Sequence, residues 1–209
     1  MINLFKAQSN NFKAIIAIII AVFSVTLMSV QAKLIGIDYH PTQITFARGI
    51  IVLIFLSPLI YKLGGINFLK TKKPALHFFR SIAGLVGNLM FFFAFQRLPV
   101  ADVTVISQAV PIFSCILAIF FLKEIIGWRR WAAIIIGFFG VIIAINPTGE
   151  IALASIYALV ATLMWSITII FLRLLGTTEH PVKTVFYFML ISVIITSLFQ
   201  PFLWKQPSL

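Results

Sequence analysis

Acidic side chains are scarce in this sequence: Asp and Glu number five against sixteen Lys and Arg, and charged residues make up only 10% of 209 positions. A surface that faces water carries about a quarter charged residues, so composition excludes an ordinary soluble domain. Cysteine occurs once, as Cys115 inside an apolar run, which excludes an intrachain disulfide framework and leaves a small packing residue. The three histidines, His40, His77 and His180, are scattered. No Cys/His set has zinc spacing, no glycine-rich phosphate loop occurs and no nucleophile sits beside a base. An enzyme, a bound metal and a resident cofactor are therefore not expected.

What is abundant is apolar: 61% of the residues are hydrophobic and the mean hydropathy is +1.11. A bilayer core needs about 20 apolar residues per helix. Seven runs meet that length, near 14–37, 42–61, 76–97, 100–122, 128–147, 151–174 and 182–204. The first is too long for a signal-peptide core and lacks a small-residue cleavage site, so it is read as a retained helix. The fold class is an all-α, multi-pass membrane bundle. The breaks carry turn residues, among them Asp38-Tyr39-His40-Pro41, Gly64-Gly65, Leu98-Pro99, Asn146-Pro147-Thr148-Gly149 and Gly176 through Pro181.

The net charge of +11 follows from topology rather than from nucleic-acid binding, because the basic residues fall in the breaks. With the N-terminus inside, the inner side collects twelve: Lys6, Lys13, Lys62, Lys70, Lys72, Lys73, Arg80, Lys123, Arg129, Arg130, Arg173 and Lys183. The outer side collects Lys33, Arg48, Arg97 and Lys205, which makes four. Cytoplasmic loops keep the positive charge, so the chain is expected in a cytoplasmic (inner) membrane with a cytoplasmic N-terminus and the lipid bilayer as its first partner.

The chain also resembles itself. At an ungapped offset of 140, Lys33 meets Arg173, Leu34 meets Leu174, Gly36 meets Gly176, His40 meets His180, Pro41 meets Pro181 and Phe46 meets Phe186. A repeat unit of five helices is odd, so its second copy is upside down in the membrane, an architecture that places a solute site near the midplane between the copies.

From the third run to the fifth the sequence carries an ordered set: Phe79-Arg80-Ser81, Leu98-Pro99-Val100-Ala101-Asp102, Pro111-Ile112-Phe113, Leu122-Lys123-Glu124, Trp128-Arg129-Arg130-Trp131 and Gly137-Phe138-Phe139-Gly140-Val141. This set resembles the EamA-type transporters of the drug/metabolite transporter superfamily. The resemblance implies ten helices in two five-helix EamA repeats with both termini cytoplasmic. It assigns 1–147 to a first repeat and 148–209 to the opening of a second that stops after two helices. A product truncated by three helices is the expectation here, together with a partnership with a second copy or with a subunit that supplies the missing helices.

The carboxylates Asp38, Asp102, Glu124, Glu150 and Glu179 all fall at or near helix ends, so no proton-carrying acid is expected inside the membrane. The neutral interior has one clear exception, Arg48, seven residues after Pro41 and roughly 10 Å along its helix by the rise of 1.5 Å per residue. Arg80 begins only about one turn inside its helix and is expected to anchor at the inner surface. Near the midplane lie Ser24, Thr26, Ser29, Gln31, Asn88, Ser107, Gln108, Thr162, Trp165 and Ser166. Amides and hydroxyls there either bond between helices or face a water-filled path. Arg48, Asn88, Ser107, Gln108, Trp165, Ser166 and Gln31 are taken as the candidate substrate path. Pro111 is taken as a helix break, because its ring removes a backbone N–H. Gly84, Gly87, Gly137 and Gly140 are read as close-packing faces, and Tyr39, Tyr61, Trp128, Trp131 and Trp204 as interfacial anchors.

The function these readings favour is secondary transport of a small organic solute, amino-acid-like, nucleotide-like or drug-like, by alternating access. The alternative is a non-transporting membrane protein, either a partner subunit or an inactive truncated product.

Overall fold

The computed structural model describes residues 2–36, 38–123, 127–145 and 150–206. The turn read at 146–149, the expected repeat boundary at 147/148, Glu124 and the side chains of Lys6, Lys13, Arg130 and Glu150 lie outside the described residues.

The described residues are helical throughout, with no strand among them: α1 Ile2–Gly36, α2 Pro41–Lys62, α3 Ile66–Leu69, α4 Pro74–Arg97, α5 Val100–Ser107, α6 Val110–Leu122, α7 Trp128–Ile145, α8 Glu150–Gly176, α9 Pro181–Ser197 and α10 Gln200–Leu203. Five stretches are long and apolar enough to cross a bilayer: Ile15–Leu34, Pro41–Lys62, Pro74–Arg97, Val100–Phe121 (α5 and α6 end to end) and Ala154–Gly176; Trp131–Gly140 and Pro181–Ser197 are shorter apolar helices. These account for all seven sequence runs. α3 was not expected, and the fourth and seventh runs are each divided into two helices.

Proline and histidine explain where two of the helices start. His40 and His180 are N-caps with nearly the same extended backbone, φ −67°, ψ 140° and φ −70°, ψ 139°. Each imidazole Nδ1 accepts from the backbone N–H two residues on, that of Thr42 and of Val182, at 3.3 Å in both cases. Pro41 and Pro181 each occupy the first helical position, where no N–H is required.

α4 is the central helix. It packs against α8 and α9 and also contacts α1, α2 and α5, and it buries Ala83, Leu85, Phe92, Ala94 and Phe95 among others. α4 and α8 run antiparallel: Lys73 Nζ at the start of α4 donates to the Leu174 carbonyl at the end of α8 (3.4 Å), while Arg97 at the end of α4 lies over the Tyr157 ring near the start of α8. α2 and α9 are antiparallel too. The Gln43 amide at the start of α2 exchanges two hydrogen bonds with the Lys205 backbone beyond α9, of 2.7 and 3.1 Å. Tyr187 at the start of α9 donates to the Leu69 carbonyl beyond α2. Lipid rather than water accounts for the exposed apolar belt, in which Ile18, Phe23, Phe55, Phe120 and Ile136 stand free. Of the five expected interfacial aromatics, Tyr61, Trp128, Trp131 and Trp204 are exposed and Tyr39 is half-buried.

One end of the bundle is held by a polar knot around Glu179, whose side chain is 5% exposed. Lys183 Nζ lies 2.7 Å from its Oε2, Thr71 donates to its Oε1 at 2.6 Å, and Lys183 also donates to the Lys70 carbonyl at 2.8 Å. Burial alone disfavours the Glu179 carboxylate, but the hydrogen bonds from Lys183 and Thr71, with the nearby charges of Lys183 and His77, outweigh it and hold its pKa below the usual 4.5. A carboxylate depressed in the folded state contributes stability that is complete above pH 4.5 and is lost as the pH falls through the lower folded value. Glu179→Gln is expected to cost up to about 1 kcal/mol at neutral pH and to flatten the acid limb of a melting-temperature profile between pH 3 and 6. A variant that keeps the wild-type acid limb would show that the knot contributes nothing.

Candidate functional site

Four of the residues singled out for the path converge halfway along the bundle. Arg48 from α2, Asn88 from α4, Ser107 from α5 and Trp165 from α8 line one cavity of about 590 Å³, a volume suited to a small organic ligand. Thr26 and Ser29 of α1 and Thr104 of α5 add hydroxyls to it. No carboxylate is among the residues that line it.

The positions of these side chains follow from local packing. Asn88 is buried on the face of α4 that carries Gly84 and Gly87. These two glycines seat the aromatic walls: a Cβ on Gly87 would stand 2.9 Å from Trp165 Cδ1, and one on Gly84 would stand 3.0 Å from Phe188 Cε2. The Trp165 ring also lies 6.5 Å from that of Phe91, centroid to centroid. Its Nε1 is buried against Gly87 without a hydrogen-bond partner. Arg48 is half-buried. Its Nη1 donates to the Met28 sulfur at 3.4 Å, a weak acceptor, and its Nε is buried with no partner.

The remaining candidates lie elsewhere. Gln31 lines an adjoining cavity of about 320 Å³ that shares Met28, Arg48 and Phe92 with the first. Gln108 is exposed at the end of α5 and lines neither cavity. Ser166 is fully buried, and its hydroxyl meets the carbonyls of Thr162 at 2.8 Å and Val110 at 3.1 Å. It thereby ties α8 to the start of α6. The fourth run is interrupted at Gln108-Ala109, just before Pro111: α5 ends at Ser107, α6 begins at Val110, and Pro111 falls in the first turn of α6. The last turn of α5 closes with tight i to i+3 bonds, Gln108 N to Val105 O (3.1 Å) and Ala109 N to Ile106 O (3.0 Å). Val110, beside the break, lines the cavity.

Arg80 is not the surface anchor its position along the helix implied. It is 8% exposed, its guanidinium carbon stands 4.4 Å from the Phe188 ring centroid, and its Nε and Nη1 have no partner. One turn away, His77 is 1% exposed, lies 4.6 Å from the Tyr187 ring and leaves both ring nitrogens without a partner.

Phe91, Phe92, Phe95, Phe188 and Met189 line the cavity and were missed. The offset of 140 held the signal for the last two. It carries Arg48 onto Phe188, Gly49 onto Met189 and Val25 onto Trp165, and five of these six residues line the same cavity.

Residues 12–146 match the model of the EamA-like transporter family. The chain belongs to that family. Among curated proteins it is similar to an S-adenosylmethionine uptake transporter of Rickettsia bellii, 28% identical over 91% of this chain and 66% of that one. It is likewise similar to a riboflavin transporter of Vibrio cholerae, 22% identical over 89% of this chain and 63% of the relative, and to the pseudopaline exporter CntI of Pseudomonas aeruginosa, 22% identical over 90% and 65%. The EamA-like chain thus spans about two thirds of the length of the curated relatives it matches.

Proposed function

We propose that this chain is a secondary carrier, or the larger part of one, that moves a small, polar, partly aromatic organic metabolite by alternating access. The observation that carries the reading is the cavity itself: an arginine, an asparagine, serines and threonines and a tryptophan whose indole N–H is unpaired, from α1, α2, α4, α5 and α8, line one space midway along the helices of a mostly apolar bundle. Polar groups at that depth need either each other or a wet path. Relatives named for S-adenosylmethionine, riboflavin and pseudopaline support an organic solute over an inorganic ion.

In this reading 1–147 form one five-helix repeat and 148–209 begin an inverted copy. The matching His-Pro caps of α2 and α9 and the antiparallel course of these helices support it. The membrane is the cytoplasmic one with the N-terminus inside. In support, Lys62, Lys70, Lys72, Lys73, Arg173 and Lys183 gather at the Glu179 end, while Lys33, Arg97 and Lys205 are set at the other.

The test is uptake of a pooled, labelled metabolite set into proteoliposomes. Saturable uptake is expected, reduced about ten-fold or more by Asn88→Ala and by Trp165→Ala and unchanged by Gln108→Ala, which lies off the cavity. No uptake by well-inserted protein would instead favour the non-transporting alternative.

A further inference from the structure

The half-buried Arg48 shares a cavity with the Phe188 ring, the buried Arg80 lies against that same ring, and no carboxylate neutralises either guanidinium among the described residues. Arg48 lines the cavity with Nε unsatisfied, and its one hydrogen bond goes to a thioether. Phe188 lines the same cavity. Against that ring, but outside the cavity, Arg80 presents Nε and Nη1 without partners, next to His77 with two bare ring nitrogens and Ser81 with a bare hydroxyl. A buried cation in lipid is costly unless something anionic or wet receives it. The orphaned N–H groups of Arg48 and Arg80 are of the kind that bind a carboxylate, for which guanidinium is the best-matched side chain. Around them the cavity offers Phe91, Phe92, Phe95 and Trp165, flat apolar surface suited to a ring.

We propose that the site binds an organic anion, a carboxylate attached to an aromatic or otherwise flat apolar body, held by Arg48, and that Arg80 is a second station for its anionic group behind a removable partition, the Phe188 ring. The claim deepens the carrier reading by naming its substrate class. Its binding half can be tested apart from transport, so failure of one is distinguishable from failure of the other.

The probes are 4-fluorobenzoate, 4-fluorobenzamide and 4-fluorobenzylamine, one scaffold carrying negative, zero and positive charge. Their binding to the full chain in phosphatidylcholine nanodiscs is read by fluorine NMR. Wild type is expected to bind the benzoate at least about ten-fold more tightly than the amide, the scale of a hydrogen bond to a charged group, with the amine weakest. Arg48→Gln is expected to abolish that preference while leaving amide binding intact, and Arg97→Gln, at the bundle end, to change nothing.

Deleting the partition exposes Arg80, whose guanidinium lies only 4.4 Å from the Phe188 centroid. Phe188→Ala combined with Arg48→Gln should therefore regain a benzoate preference, and adding Arg80→Gln should remove it again. Equal binding of the three probes, no binding of the benzoate, or preference for the amine overturns the anion site. A Phe188→Ala/Arg48→Gln double variant that stays indifferent to charge overturns the second station. Displacement of the benzoate by phosphatidylglycerol added to the nanodiscs would assign Arg48 to a lipid headgroup and overturn the solute reading of the site. Anion preference without uptake would leave the site standing and remove the carrier.

Discussion

Gly49→Ala is expected to loosen the pairing of α2 with α9, and Val193→Ala is expected to restore it. A Cβ at position 49 would stand 2.5 Å from Val193 Cγ2 and 3.7 Å from the Met189 carbonyl oxygen, whereas carbon atoms rest about 3.5–4.0 Å apart. Valine in a helix has one strongly preferred χ1 rotamer, so the methyl group cannot swing away at low cost and the helices must part. Overpacking of this kind costs about 1–3 kcal/mol. In lipid, where no hydrophobic force draws helices together, close approach at small residues carries much of their association. Val193→Ala deletes the offending methyl and alone should be mildly destabilising. The measurement is a double-mutant cycle on thermal unfolding in detergent. A favourable coupling above about 0.5 kcal/mol is expected, and additive losses would show that α2 and α9 are not packed at this point.

The same α2 and α9 show how far the sequence could be read. Their starts were legible because Pro41 and Pro181 close turn segments and suit a first helical position, while the caps made by the His40 and His180 imidazoles emerge only from the structure. An interruption close to Pro111 was legible for a similar reason, since proline has no N–H to give, although the turn itself falls earlier, at Gln108-Ala109. Position along the helix was also legible, since residue number alone places Asn88, Arg48 and Trp165 well inside α4, α2 and α8.

Rotation about the helix axis was not legible. A soluble helix shows its inner face by contrast with a polar outer one. Here both faces are apolar, one against lipid and one against protein, so that contrast is missing. Gln108 is adjacent to Ser107 in sequence yet exposed, and Ser166 is adjacent to Trp165 yet turned toward the Val110 carbonyl and away from the cavity. Arg80 failed in the same way: one turn from the helix start is shallow enough to reach the surface, but its face of α4 points at Phe188. The four-residue α3 lacks a periodic signal altogether, and it is positioned by remote partners, Tyr187 on the Leu69 carbonyl and His180 against Phe68.

Gly87→Val is expected to damage the site more than the fold. At Gly87 the first atom a side chain would meet is the Trp165 ring: Cδ1 at 2.9 Å and Nε1 at 3.3 Å, with Met164 Cβ also at 3.3 Å. The indole is rigid and lines the cavity, so relief comes from pushing the ring into that space, where it would occupy the volume a ligand needs. Some of the strain passes to α8, giving a loss of about 1–3 kcal/mol, partly offset by the better helix propensity of valine than glycine. Gly140→Val is the matched control, since a Cβ there meets nothing within 4 Å. Binding of 4-fluorobenzoate should fall about ten-fold or more in Gly87→Val and hold at the wild-type value in Gly140→Val. Trp165→Ala added to Gly87→Val should recover stability but not affinity, because it removes the clash together with the indole wall. Recovery of both would mean that Trp165 only fills space, and recovery of neither would place the damage in the backbone of α4.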